Sequence, residues 1–226
     1  MMSLNKFEIL IREPIFAEIV SKVTSKHQKN NGSYVSDIIS SDTPFGIPSN
    51  PRDSTKNPFT VYTKSSPEHN TLLFHIENSI RRIEYARKAD IIKNAQSIDK
   101  YKVFMPGGYG AGETFPHQIL GVPEYAPKNS VCSQSYLYAE FKSEEEAHSF
   151  IKYYKTRFFR SLVASYKITQ SAPNRVYSFV PLQDFTENSD IDWSDSIEDI
   201  DCQLYKKYGL TKEEIDFIES MIKPME

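Results

Sequence analysis

The chain has 226 residues, 39% of them hydrophobic and 13% aromatic, with 14 Tyr and 14 Phe, so it can bury a sizeable core and is not a disordered tail. No apolar run approaches the roughly 20 residues that cross a bilayer, and Cys132 and Cys202 stand far apart. A membrane-spanning helix and a disulfide framework are thereby excluded, and a soluble cytoplasmic protein with free thiols is predicted. The net charge of −3 hides a division: residues 187–226 carry 12 acidic and 4 basic side chains, a net of −8, so residues 1–186 carry +5.

Residues 1–5 read as a leader outside the fold, and the abrupt start of patterning at Phe7-Glu-Ile-Leu-Ile11 predicts a fragment excised from a longer polypeptide. A helix follows over about 14–24, with Pro14 in its first turn and Ile15, Ile19 and Val23 aligned. Residues 40–70 hold Pro44, Gly46, Pro48, Pro51, Pro58 and Pro67, which predicts loops and short edge strands, one of them at 60–63. Residues 81–95 read as a weak basic helix on Ile83, Ala86, Arg87 and Ile91. A strand at 101–105 then runs into the glycine segment 106–113. Glycines let backbone amides approach phosphates. Here, however, Glu113 and Thr114 stand where a P-loop needs its Lys pair, and Pro116 discourages an immediate helix. The segment is either plain turn chemistry or a flexible loop that follows a DNA backbone or groove, with Gly107, Gly108 and Tyr109 as its contacts.

Residues 131–141 read as a strand leading into a helix capped by Ser143 and Glu146, with Ala147, Phe150, Ile151, Tyr154, Phe158 and Leu162 as its apolar stripe. Lys152, Lys155, Arg157, Arg160 and Lys167 then fall on or beside the solvated face. A polar loop with Thr169, Gln170, Asn174 and Arg175 follows, then a strand at 177–180. A final helix opens at Thr211 with Glu214 as a second capping box, and Ile215, Ile218 and Ile222 form its buried stripe. The irregular alternation of strands and helices predicts a mixed α/β, α+β fold. The acidic stretch 187–226 reads as a linker and terminal helix, solvated or facing a partner.

The basic block offers a specific chemistry. Lys155, Arg157, Arg160 and Lys167 are candidate phosphate contacts, while Gln170, Asn174 and Arg175 have the groups that read base edges. Basic residues on a helix face are also ordinary solvation. Glu140-Phe-Lys142 resembles the Glu-x-Lys half of a metal-dependent nuclease site, with Asp99 or Glu124 as a second carboxylate, but that spacing is common by chance. His27, His69, His75, His117 and His148 lack ligand spacing, so no metal site is predicted. A protein-docking module built on the aromatic residues and the acidic tail is a third class.

Several spaced motifs occur in order: Cys132-Ser-Gln-Ser-Tyr-Leu137, Tyr154-Lys-Thr-Arg-Phe-Phe-Arg160, Lys167-Ile-Thr-Gln170 and Phe179-Val-Pro-Leu-Gln-Asp-Phe185. Together they resemble the carboxy-terminal target-recognition region of type II restriction-modification adenine-N6 DNA methyltransferases, a region similar to the TaqI methyltransferase specificity domain. Pro44-Phe-Gly-Ile-Pro-Ser-Asn50 upstream, and Asp192-Trp193 with Leu204-Tyr-Lys-Lys-Tyr-Gly-Leu210 downstream, extend the likeness over most of residues 6–222. The resemblance implies a domain over residues 6–186 that reads double-stranded DNA. It would position the duplex and help extrude a base for a catalytic methyltransferase domain of the same polypeptide. Methyl transfer itself needs a glycine-rich adenosylmethionine pocket and a polar-Pro-Pro-aromatic turn. Asn50-Pro51 and Asn57-Pro58 carry only half of such a turn and read as turn initiators. The fragment is therefore expected to be no enzyme and to hold no cofactor. S-adenosylmethionine, and Mg²⁺ if an endonuclease is fused, would belong to the parent enzyme.

Overall fold

The computed structural model describes residues 14–29, 32–52 and 59–225. The leader 1–5, the opening stretch 7–11 and the Asn57-Pro58 turn lie outside the described residues. In chain order the elements are α1 (Pro14–Lys29), β1 (Thr71–Glu77), β2 (Ile80–Ala86), β3 (Tyr101–Pro106), β4 (Glu124–Ala126), β5 (Ser130–Cys132) and β6 (Tyr136–Phe141), then α2 (Glu144–Lys155), α3 (Arg157–Ala164), α4 (Ile197–Tyr208) and α5 (Lys212–Met221). This is the α+β class expected. Among the described residues no helix is long and apolar enough to cross a membrane.

Two three-stranded sheets form the middle of the molecule. One has the order β2-β1-β5, with β1 and β2 antiparallel and β1 and β5 parallel; the other has the order β4-β3-β6 and is antiparallel throughout. Strand side chains alternate between faces, and β3 and β6 use that alternation to serve two cores. Val103, Met105, Leu137, Ala139 and Phe141 join a cluster with the helices. Phe104, Tyr136 and Tyr138 point the other way, into a cluster with Leu73, Phe74, Val131 and Cys132 of the first sheet. Lys102 is buried on β3, its Nζ donating to the carbonyls of Ser97, Ile98 and Lys100, and burial pushes its pKa down to about 8. The helical core is rich in rings: Phe158 stacks on Tyr208 with centroids 5.1 Å apart, and Phe185 meets Trp193 at 5.2 Å. Most of the aromatic content therefore goes to packing, as do Val180, Pro181 and Gln183 of the 179–185 motif.

Four local expectations are corrected. Residues 81–95 hold the second strand of a hairpin, because Asn78 and Ser79, at φ 51° and 64°, make a two-residue turn of the kind that joins antiparallel strands. Residues 131–141 are two strands in different sheets, divided by a turn in which Tyr136 N–H donates to the Ser133 carbonyl at 3.1 Å. No strand forms at 177–180, where a 3-10 turn over Asn174–Tyr177 leads on instead. Finally, the acidic stretch 187–226 is no detached linker: Ile191, Trp193, Ile200, Leu204, Tyr208, Ile218 and Ile222 all enter the core shared with α1, α2 and α3. At 60–63 Tyr62 pairs with Tyr85 through two backbone hydrogen bonds, a single bridge on β2.

The long basic helix is also broken. Thr156 leaves helical geometry at ψ 150°, ends α2, and caps α3 by accepting from Phe159 N–H at 3.1 Å. Asp201 of α4 completes that cap, its two carboxylate oxygens each accepting a backbone N–H, from Arg157 and Phe158, at 2.8 Å. Burial pushes the Asp201 carboxyl up to about 7, against the opposing pull of those N–H groups and of Arg160 and Arg157. Between pH about 4 and about 7 the folded state therefore holds a proton that the unfolded chain has lost, so stability falls as pH rises through that window. Asp201→Asn removes this dependence. Urea unfolding of both proteins at several pH values should show the stability of wild type relative to the variant declining, by up to about 4 kcal/mol, from the acid to the neutral end.

Candidate nucleic-acid interface

Beyond Pro106, β3 continues as a narrow extended segment with a neighbour on each side. Gly107 N–H donates to the Ser135 carbonyl at 2.8 Å, one step past the Pro106↔Tyr136 pair of β3 and β6. On the other side Ala172 N–H donates to the Gly107 carbonyl and Tyr109 N–H to the Gln170 carbonyl, both at 2.9 Å, and Gly108 bridges Ser171. The turn at 134–135, the glycines and the 170–172 loop thus make a small third array. Cavities of about 840 Å³ and about 390 Å³ lie over it and share Ile76, Gly108 and Ser171, forming one trough.

The floor of that trough is bare backbone for no internal reason. Gly110 at φ +110° occupies a region that side chains rarely adopt, and a Cβ on Gly121 would come within 2.8 Å of the Pro106 ring. Gly107 and Gly108 have no positive φ, and the nearest atoms their added Cβ atoms would meet are backbone carbonyl oxygens, at 3.4 and 3.6 Å. Neither backbone strain nor packing demands glycine at these two positions. Both residues line the smaller cavity, and Gly108 lines the larger one as well.

Charge is distributed unevenly along it. The larger cavity is lined by Arg81 and Lys223, together with Glu113, whose Oε1 is held by the backbone N–H groups of Gln118 and Ile119. Arg81 contacts Glu124 at 3.0 Å and donates to the Val122 carbonyl at 2.7 Å, which leaves an arginine anchored at the rim. Lys167 Nζ donates to the Tyr109 carbonyl at 2.9 Å, and burial lowers its pKa against the pull of Glu113. The smaller cavity is lined instead by Asp42, Gln134, Ser135 and Ser171.

The residues expected to form the site divide into two groups. Gly107, Gly108, Tyr109 and Gln170 line the trough, and Lys167, 58 positions from Tyr109, reaches the Tyr109 carbonyl beside it. Arg160 is not on the solvated face: it is 0% exposed, and its guanidinium donates to the carbonyls of Lys155, Thr156, Gln118 and Lys223. The break at Thr156 turns it inward, and burial pushes its pKa down to about 10. Arg157 is half-buried, with Nε donating to the Ile222 carbonyl at 3.1 Å. Asn174 spends both amide hydrogens on the carbonyls of Ser36 and Ile39, at 2.7 and 2.8 Å, so it is no free reader of bases. Lys155 is half-buried and Arg175 exposed, neither side chain bonded among the described residues. Arg81, Gln134 and Lys223 were not anticipated. Gln134 lay within a quoted motif without a role, Arg81 on a misassigned helix and Lys223 in the acidic stretch.

The chain matches no protein-family model, no curated protein and no solved structure. Its chemistry is therefore argued from its own residues. Of the nuclease candidates, Asp99, Glu140 and Lys142 stand apart from the trough, lining a cleft of about 690 Å³ with Asp99 paired to Lys88 at 2.6 Å, while Glu124 sits at the trough's rim with Arg81 and Tyr136. Among the described residues no group of three or more His, Cys, Asp or Glu side chains is placed to hold a metal ion.

Proposed function

We propose that this chain is a sequence-reading DNA-binding module of a restriction-modification adenine methyltransferase, and that duplex DNA lies across the trough. One observation carries the reading. Two adjacent glycines that the fold does not require keep an open floor between basic residues and uncommitted amides. A bare backbone floor admits close approach of a phosphodiester chain or a base edge, Arg81 and Lys223 line one end beside Glu113, with Lys167 held on the Tyr109 carbonyl, and polar side chains line the other end. The catalytic methyltransferase domain, with its S-adenosylmethionine and any Mg²⁺-dependent endonuclease, belongs in this proposal to the rest of the polypeptide.

The test is a salt titration of binding to a pool of random duplexes, with the bound molecules sequenced. If three or four cationic side chains meet phosphates, affinity should fall about 40- to 150-fold between 50 and 200 mM salt, because each neutralised phosphate releases counterions. A competing protein-docking reading draws on Ile80 and Ile83 of β2, exposed at 56% and 55%. It predicts an interaction that survives high salt and no enrichment of any DNA motif.

A further inference from the structure

We infer that Gln134 and Gln170 are the adenine-reading side chains of the trough. This rests on the DNA-reading proposal and adds which bases are read and by which residues. Amide side chains are the natural partners of adenine, since an amide oxygen can accept from N6–H while the amide nitrogen donates to N7. Asn174 commits both amide hydrogens to the carbonyls of Ser36 and Ile39, and half-buried Gln118 commits one of its two to the Leu120 carbonyl at 2.9 Å. Gln134 and Gln170 are exposed, and among the described residues their side-chain amides have no hydrogen-bond partner.

Their placement is fixed from below. Gln134 N–H donates to the Ile47 carbonyl at 2.8 Å, and the Gln170 carbonyl accepts from Tyr109 N–H at 2.9 Å. Each amide therefore springs from a pinned backbone, which lowers the ordering cost of engaging a base. The two stand on opposite sides of Gly107–Gly108, one in the turn that pairs with Gly107 and the other in the loop that pairs with Tyr109. Gly107 and Gly108 put no side chain between the two, and Ile76 and Ser171 are, with Gly108, the residues common to both cavities. Asp42 lines the cavity beside Gln134 and repels a phosphate there, whereas Gln170 shares its cavity with Arg81, Lys223 and Glu113 and would read a base beside a phosphate held by the two cations.

The experiment sequences duplexes selected from a random pool at low salt by wild type, Gln134→Ala, Gln170→Ala and Gln134→Glu. Wild type should enrich a motif with adenine at two or more positions. Each alanine variant should lose the adenine preference at a different position, by about 5- to 150-fold, with the salt slope unchanged. Gln134→Glu, which only accepts, should shift its position from adenine toward cytosine. An identical motif from wild type and both alanine variants, or a wild-type motif without adenine, overturns the inference while leaving DNA binding intact. Absence of duplex binding by wild type at any salt overturns the DNA-reading proposal and this inference together.

Discussion

Replacing Arg160 with methionine is expected to destabilise the protein by about 3–5 kcal/mol, which for a chain of this size lowers the melting temperature by roughly 6–20 °C. The side chain is fully buried and ties four carbonyls from three places: the α2–α3 junction at Lys155 and Thr156, the segment after the glycine loop at Gln118, and Lys223 past α5. Methionine fills similar volume but removes the side-chain donor from all four carbonyls, of which, among the described residues, only Thr156 keeps another, the backbone N–H of residue 160, and it takes a buried cation away from Asp201. Lysine should not restore stability, because a single ammonium on a flexible stem cannot span the fork of contacts that the guanidinium makes. Calorimetry of the three proteins decides this. A methionine variant that melts with wild type but binds DNA poorly would return Arg160 to the list of direct contacts.

Gly108→Leu should do the opposite, lowering DNA affinity by at least about 30-fold, ~2 kcal/mol, as befits an obstruction at the centre of a contact surface. Stability should stay within about 1 kcal/mol of wild type, since a Cβ at this position meets only ordinary contact and loss of a glycine restricts the unfolded chain. Gly121→Ala is the matched control. Its new Cβ would lie 2.8 and 2.9 Å from the Pro106 ring, so it should melt at a lower temperature. If Gly108→Leu binds as wild type does, the trough is not where DNA lies.

Legibility of the structure from sequence follows physical range. Caps are local, and Ser143, Thr211 and Glu214 were readable because their partners lie three residues away. The β1–β2 hairpin was missed because the two-residue turn at Asn78-Ser79 uses positive φ without a glycine, so Ile83 and Ala86 were matched to a helical period. The fate of Arg160 was beyond reach. Helical spacing sets it beside Lys155 and Arg157, but Thr156 and a carboxylate 41 positions later, Asp201, decide which way it points. The same holds for Asn174, consumed by carbonyls about 135 residues upstream. Gly107 and Gly108 were visible as glycines, yet only the fold separates them from Gly110 and Gly121, whose glycine identity is structural.

The chain closes on itself at the far end of this region. His117 N–H donates to the Met221 carbonyl at 2.8 Å, Lys223 N–H to the His117 carbonyl at 3.0 Å, and the Lys223 carbonyl receives Arg160 at 2.8 Å. A nascent chain leaving the ribosome therefore has its glycine floor and both amides in hand long before it has the rim that Lys223 completes. Products that stop short of residue 223 would lack that rim and two of the ties that hold the segment after the glycines. If the proposed trough binds DNA, only a polypeptide translated at least that far would do so.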